Sequence, residues 1–418
     1  MIRQTGTVIK NRSRLILILG LLSAIGPFSI DMYLPAFPVI AANLHTTPEL
    51  ISYSLSSYFI GICLGQMLIG PLLDRYGRKR PLYGGLIIYI LSSIGCAFAP
   101  TIEILIALRL FQAAGGCVGI VAPRAIIRDL FPVEENAKIF SLLILILGVS
   151  PIIAPTAGGY ISAHFGWHII FVLLSIITSI ILIAVFFYLP ESKQPDPSFS
   201  LKPKPILASF QKVITHPQFY TYSLTGAMAS AGLYAYLAGS PFVFMELYHV
   251  TGQHYGWIFA IIAAGLITSS QLNNIILRKY TSSQIIRVTL SAQCIVGVVL
   301  VLGTLNSWLG LYGTIACIFF YLCCQGFSFP NSSALSMAPF SKEAGSASAL
   351  MGSIQMALGA GASALVGFLT DGTAIPMTVV MAGCSLTAVI ILMMGRKAIY
   401  RCKNEDVEEQ TLEMIENY

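Results

Sequence analysis

Charge is the scarcest ingredient of this chain. Asp, Glu, Lys and Arg make up 10% of its 418 residues, against about 25% in an average soluble protein, and a water-facing surface cannot be built from so little. Other patterns are missing too. No G-x-x-x-x-G-K-[ST] loop occurs, which argues against transport driven directly by ATP. The nine cysteines lack metal-ligand spacing and read as small apolar packing residues. His164 and His168 come closest to a ligand pair, but no third ligand accompanies them. Nor is any nucleophile clustered with a base, so an enzyme reading has nothing to carry it, and neither a metal nor a cofactor is expected.

Apolar sequence fills the space that charge leaves. The chain is 56% hydrophobic with a mean hydropathy of +0.78, and apolar runs recur at about twenty residues, the helical length that crosses a bilayer core of about 30 Å. Spanning segments are expected near 15–37, 50–73, 81–99, 103–123, 139–162 and 167–189, then near 219–244, 254–277, 285–304, 308–329, 345–369 and 375–395. The first of these runs too long for a secretory signal and lacks a small-residue cleavage site before Asn43, so it is kept as a helix. The fold class that follows is an all-α membrane protein of twelve helices.

The placement of cations supports this map, because cytoplasmic loops collect positive charge. All but one of the 24 Lys and Arg residues fall on one side: Arg3, Lys10, Arg12 and Arg14 before the first segment, Arg75 to Arg80 after the second, and Arg124, Arg128 and Lys138 after the fourth. The same side holds Lys193 to Lys212, Arg278, Lys279, Arg287, Lys342 and the tail from Arg396 to Lys403. Only Arg109 lies within a segment. An even helix count and two cytoplasmic termini follow. The formal charge of +6 is then a topology signal, and no nucleic-acid partner is needed to explain it.

The polar connection 190–218, rich in proline, lysine and serine, divides the chain. It separates a half spanning 1–189 from a half spanning 219–395, and a polar tail, 396–418, reads as a solvated or disordered end. Weak echoes between the halves suggest an internal repeat of the kind found in transporters. The fifth and eleventh segments correspond, and both are rich in glycine, which lets backbones approach closely.

An ionisable group within the hydrocarbon costs about 3 kcal/mol or more and marks a functional position unless it reaches the interface. Two stand out. Asp31 and Arg109 each lie about six residues inside their segments, roughly 9 Å below the same surface. That shared depth allows an ion pair or a common water cavity lined by Gln112, one turn from Arg109. Two uses remain open: a structural pair joining the first and fourth segments, or a carboxyl that carries a proton. Pro35 and Pro38 permit bending beside Asp31.

Between the second and third segments the sequence reads G-P-L-L-D-R-Y-G-R-K-R from Gly70 to Arg80. It resembles the loop signature of the major facilitator superfamily, G-x-x-x-D-R-x-G-R-[RK]. The resemblance implies that Gly70, Asp74, Arg75, Gly77 and Arg78 serve conformational gating, with Asp74 pairing with an arginine and a neighbouring helix end. Arg109 to Gly116, R-L-F-Q-A-A-G-G, resembles the fourth-helix motif whose arginine is linked to proton transfer. Gly148 to Gly159, G-V-S-P-I-I-A-P-T-A-G-G, resembles the fifth-helix motif of drug:proton antiporters, with Pro155, Gly158 and Gly159 in place and Ser150 and Ala154 where glycine is expected.

Ile30 to Pro38, I-D-M-Y-L-P-A-F-P, and Ser240 to Val243 are similar to the bicyclomycin and chloramphenicol resistance branch. Its fold is two pseudo-symmetric six-helix halves. The resemblance implies a bacterial cytoplasmic-membrane exporter, functional as a monomer, in which proton influx drives the outward movement of small amphipathic compounds. Asp31 and Arg109 would couple protons, and Tyr33, Gln112, Tyr234, Tyr236 and Phe242 would line the substrate site. Tyr248, Tyr255 and Trp257 read as an interfacial belt instead. A dedicated exporter or symporter of one metabolite, such as a siderophore, amino acid or sugar, is the alternative.

The charge map makes a direct prediction. A reporter enzyme fused at Lys202 is expected to behave as cytoplasmic, and periplasmic behaviour would overturn the helix assignment.

Overall fold

The computed structural model describes residues 12–131, 133–196, 203–340 and 343–416. Among them, 12 helices are long and apolar enough to cross a membrane. They are α1 (Arg12–Asn43), α2 (Pro48–Tyr76), α3 (Lys79–Ala97), α4 (Ile102–Leu130), α5 (Val133–Phe165) and α6 (His168–Tyr188). A short helix, α7 (Pro203–Ile214), follows. The second set is α8 (Pro217–Leu247), α9 (Gly252–Ile276), α10 (Ser282–Leu305), α11 (Gly310–Met337), α12 (Ala344–Phe368) and α13 (Ile375–Glu416). All twelve expected segments are present. Of the basic residues that mark the sidedness, Arg3, Lys10, Lys202 and Lys342 lie outside the described residues.

The surface is inverted relative to a soluble protein. Leu91, Ile180, Val288 and Met394 are all more than three-fifths exposed, as side chains facing lipid tails would be, while Ser54, Ser93, Gln112, Gln293 and Asn331 are buried between helices. Helix α8 is enclosed along nearly its whole length. The two halves meet along two seams: α2 packs on α12, and α5 packs on α9. On the first seam Ser56 Oγ donates to Ser363 Oγ at 2.9 Å, and Ser353 Oγ donates to the Cys63 carbonyl at 3.2 Å. On the second, the glycines of α5 bring backbones together. A Cβ on Gly159 would lie 2.7 Å from the Gly252 carbonyl oxygen, and one on Gly158 would collide with the carbonyl of Met32 in α1. Pro155 is buried one turn earlier.

The far ends of the halves repeat a local device. His45 after α1 and His249 after α8 both adopt positive φ, 48° and 53°, and each is followed by a threonine whose hydroxyl accepts from the next helix's third backbone N–H. Thr47 thus caps α2 and Thr251 caps α9, the termination and restart that a tight interhelical turn requires.

Two segments depart from the sequence reading. The connection 190–218 is not uniformly irregular: Glu191 to Asp196 docks on the first half, and α7 packs on the second through Ser209 Oγ to Ser346 Oγ at 2.9 Å and Lys212 Nζ to Glu343 Oε1 at 2.5 Å. The tail, expected as a solvated or disordered end, continues the last helix to Glu416 rather than being irregular. Its many Glu residues are good helix formers, so propensity carries the helix onward once the apolar run has ended.

The glycine contacts generate a paired prediction. Replacing glycine by alanine within a helix gains about 1 kcal/mol of propensity, whereas forcing atoms into a filled space costs about 1–3 kcal/mol. Gly361→Ala, where nothing stands within 4 Å of the new methyl group, is expected to leave the melting midpoint of the detergent-purified protein unchanged or higher. Gly158→Ala is expected to lower it. Equal midpoints for the two variants would contradict the packing.

Candidate functional site

The site begins with the interruption of α1. Pro35 and Pro38 carry no N–H, so regular helical bonding cannot continue past them. The α-helical geometry ends at Asp31, a 3-10 turn covers Leu34–Ala36, and α-helix resumes at Phe37. Backbone bonds from Tyr33 N to Ile30 O at 3.2 Å and from Ala36 N to Tyr33 O at 3.0 Å tighten the break. Asp31 stands at its edge, 6% exposed. Because the span resumes and runs to Asn43, Asp31 sits deeper than expected by roughly one and a half turns, about 9 Å.

Of the two arrangements that the sequence left open, an ion pair with Arg109 is not formed. Among the described residues Asp31 has neither an ion-pair nor a hydrogen-bond partner. Arg109 is wholly buried. Its guanidinium carbon lies 4.2 Å from the ring centre of Tyr58, 4.6 Å from that of Tyr33 and 5.8 Å from that of Phe171. Such contacts contribute about 2 kcal/mol each when desolvated, so the rings replace the missing carboxylate. Arg109 Nη1 donates to Gln112 Oε1 at 2.6 Å, and Gln112 Nε2 donates to Ser93 Oγ at 2.7 Å. Nε and Nη2 of Arg109 have no hydrogen-bond partner. Tyr33 is tied to α2 by a 2.7 Å bond between its hydroxyl and Ser54 Oγ.

The turn that follows Asp31, Leu34–Ala36, packs on α5 and on α8 and α9 of the second half. Tyr255 shares a 2.8 Å hydrogen bond with Ser240 and packs on Phe259, with ring centres 6.2 Å apart. Tyr236 stacks on the same Phe259 at 6.0 Å, and its buried hydroxyl has no hydrogen-bond partner. Both tyrosines are 1% exposed or less. Tyr255 is thus no belt residue, whereas Trp257 is 61% exposed, as a belt residue would be.

The residues expected to line a substrate site fall into four places. Tyr33 and Gln112 lie within the packing of the first half around Arg109. Tyr234 crosses the seam, its ring edge-on to Phe59 at 4.6 Å and its hydroxyl 3.8 Å from Met356 Sδ. Tyr236 is stacked on Phe259 within the second half, and Phe242 lines a cleft at the far ends of the helices.

On the face that carries the termini, the loop from Gly70 to Arg80 forms a charged clasp. Arg78 Nε donates to Asp129 Oδ2 at 2.7 Å and Nη1 to Asp74 Oδ1 at 3.2 Å. Burial opposes the Arg78 charge, but the hydrogen bonds and charges of Asp129 and Asp74 outweigh it and raise its pKa above the usual value. The second partner of Asp74 is Lys193 Nζ at 2.7 Å, in the segment following α6. Glu191 in that segment accepts from the backbone N–H groups of Arg78 at 2.7 Å and Lys79 at 3.1 Å, where the start of α3 leaves donors unsatisfied. Gly77 turns the chain there with φ of 81°, and a Cβ on it would press on the Lys193 carbonyl at 3.0 Å. Arg75 presents its carbonyl to the Asp196 N–H at 3.0 Å. Gly70 faces open space, and nothing in the structure explains its identity. Sequence reasoning missed Glu191, Lys193, Asp129 and the ring set Tyr58 and Phe171. Acidic residues scattered over three connections give no pattern, and aromatic residues in apolar runs look like core.

Comparison with known proteins agrees with this architecture. Residues 19–364 match the family model of the Major Facilitator Superfamily. The chain is 34% identical over 391 residues to the uncharacterized transporter YdgK of Bacillus subtilis, covering 91% of this chain and 94% of that one. It is 30% identical over 375 residues to a bicyclomycin resistance protein homolog of Haemophilus influenzae, covering 90% and 94%. Identity to the multidrug resistance protein MdtL of Escherichia coli is 28% over 373 residues, covering 88% and 92%. Among solved structures, a D-xylose-proton symporter superposes with a TM-score of 0.71 at 13% identity, over 91% of this chain and 97% of that one. The chain therefore belongs to the major facilitator superfamily, in its bicyclomycin and chloramphenicol resistance branch, and is a multi-pass membrane transporter rather than an enzyme.

Proposed function

We propose that this protein exports small amphipathic compounds, neutral or weakly cationic, across a bacterial cytoplasmic membrane in exchange for protons, with its termini and the connection 190–218 in the cytoplasm. The observation that carries this reading is the carboxyl of Asp31. It is buried with no ion-pair partner among the described residues, at a break in α1 whose following turn packs on the other half of the molecule. An ionised carboxyl at this depth requires water or a cation beside it, so its protonation state and the opening of the seam between the halves are linked. Rocking of the halves would expose Asp31 first to one side and then to the other. In the conformation described, α1 and α2 meet α8 and α12 at the far ends, so that side is shut.

Arg109 fits a supporting role. Its charge is absorbed by the Tyr33, Tyr58 and Phe171 rings, which leaves Asp31 free to exchange a proton instead of being held permanently as a carboxylate. The cargo chemistry draws support from the aromatic residues along the seam, Phe59, Tyr234 and Tyr236, and from the resistance functions in the names of the relatives. Aromatic walls with few polar groups suit apolar or cationic amphiphiles. The clasp of Asp74, Arg78 and Lys193 would steady one state, since its members must separate if the segment after α6 shifts.

The experiment is flux in everted vesicles with and without an imposed pH gradient, with membrane insertion measured alongside. Asp31→Asn is expected to insert normally and to lose gradient-driven transport. The double variant Asp31→Asn with Arg109→Gln is expected to remain inactive, because no ion pair needs compensation. Uphill, gradient-dependent pumping of a neutral cargo by the double variant would overturn the assignment.

A further inference from the structure

Helix α7 is not one of the membrane spans, yet part of its apolar face is uncovered. One side of the helix is seated on the second half. Phe210 and Val213 are buried in a cluster with Phe219 and Phe340, Ser209 Oγ donates to Ser346 Oγ, and Lys212 Nζ pairs with Glu343. Beside this seat, Leu207 is 59% exposed and Ile214 38%. They stand seven residues apart and so point in the same direction to within about 20°. The apolar stripe of α7 is therefore wider than the protein surface that covers it.

Depth and charge point to what covers the remainder. Only Thr215 and His216 separate Ile214 from Pro217, where α8 begins its span, so Ile214 lies within about 11 Å of the start of a membrane helix. Phe340, in the cluster that seats α7, stands between the end of α11 and the start of α12. The uncovered stripe is thus at the level where helices enter the bilayer. Lys204, three residues before Leu207 and so its neighbour on the helix surface, is exposed, and it has no hydrogen-bond or ion-pair partner among the described residues. No Asp or Glu occurs in α7 to offset its charge.

We propose that α7 is an interfacial helix whose uncovered stripe is occupied by an anionic phospholipid. Leu207 and Ile214 sink into the edge of the leaflet, which removes their alkyl groups from water. The Lys204 stem follows the apolar surface and its ammonium meets the lipid phosphate. A stripe two side chains wide is too small for a stable protein interface, whereas lipid tails need no larger patch. Because Ser209 and Lys212 clamp α7 to the second half, the lipid holds the rim of that half at a fixed depth. That this leaflet is the cytoplasmic one rests on the sidedness proposed above; the lipid contact does not.

Photocrosslinking of the full-length protein in nanodiscs tests this. The photoreactive residue p-benzoylphenylalanine replaces Leu207, Ile214 or Ala208 singly, in discs of equal parts phosphatidylglycerol and phosphatidylcholine, and the adducts are identified by mass spectrometry. Ala208 is exposed too, but it is turned about 100° from Leu207. Capture of lipid is expected at positions 207 and 214 and not at 208, with phosphatidylglycerol favoured about fivefold, the scale of one lysine at an anionic surface. Lys204→Gln is expected to abolish that preference and leave lipid capture intact. Equal capture at 207 and 208, or capture of a second protein chain in place of lipid, would overturn the interfacial helix. Equal capture of the two lipids, or a preference that survives Lys204→Gln, would overturn the anionic headgroup. Periplasmic behaviour of the Lys202 fusion would instead overturn the sidedness and leave the lipid contact standing.

Discussion

Hydrocarbon offers no hydrogen bonds, so a membrane helix can break only where protein covers the exposed backbone groups. The interruption of α1 after Asp31 meets this condition in several ways at once. Glycine at position 158 lets α5 lie directly against the Met32 carbonyl. The Tyr33 hydroxyl ties the turn to Ser54 on α2, and the Leu34 carbonyl, which Pro38 cannot serve, accepts from the Phe37 N–H instead. Remove the close approach of α5 and the break faces lipid; remove the break and Asp31 is one more position on a straight helix. The glycine-rich motif of α5 and the prolines of α1 are therefore two parts of one construction.

The second constraint is how two opposite charges share a half without neutralising each other. A buried cation normally calls for a carboxylate, and an unpaired one is strongly destabilising. Here three aromatic rings take that part for Arg109, and Gln112 fixes its orientation by bonding to Ser93 as well. Tyr33 links the two features, since it follows the Asp31 break and also forms one wall of the arginine's enclosure. Movement of α1 at its break would thus be felt by Arg109 through packing, not through an ion pair. In the second half, Tyr236 on α8 carries a buried hydroxyl with no hydrogen-bond partner.

Much of this was legible in the sequence because lipid imposes simple rules. Length and apolarity located every span, one-sided cations fixed the even count, and G-P-L-L-D-R-Y-G-R-K-R placed Asp74 and Arg78 in a turn that does form an ion-pair clasp. The losses have physical causes. The first span was expected to end at Phe37, yet a 3-10 turn carries the helix on to Asn43, so Asp31 lies further from the end of its span than the sequence suggested. Tyr255 lies next to Trp257, and one-dimensional proximity cannot say that one is buried against Ser240 and the other faces outward. Glu191 and Lys193 sit in a stretch whose prolines and lysines signal a linker, and only folding shows them seated on the start of α3 and on Asp74.

The central claim is that Asp31 takes up and releases a proton without help from a counter-charge. Infrared difference spectroscopy of the purified protein between acidic and alkaline pH observes this directly, because a protonated carboxyl has its own carbonyl band, which vanishes on ionisation. The account predicts a band in the wild type that is absent from Asp31→Asn and persists, little shifted, in Arg109→Gln. A difference spectrum in which Asp31→Asn retains the full band, or in which Arg109→Gln abolishes it, would contradict the account.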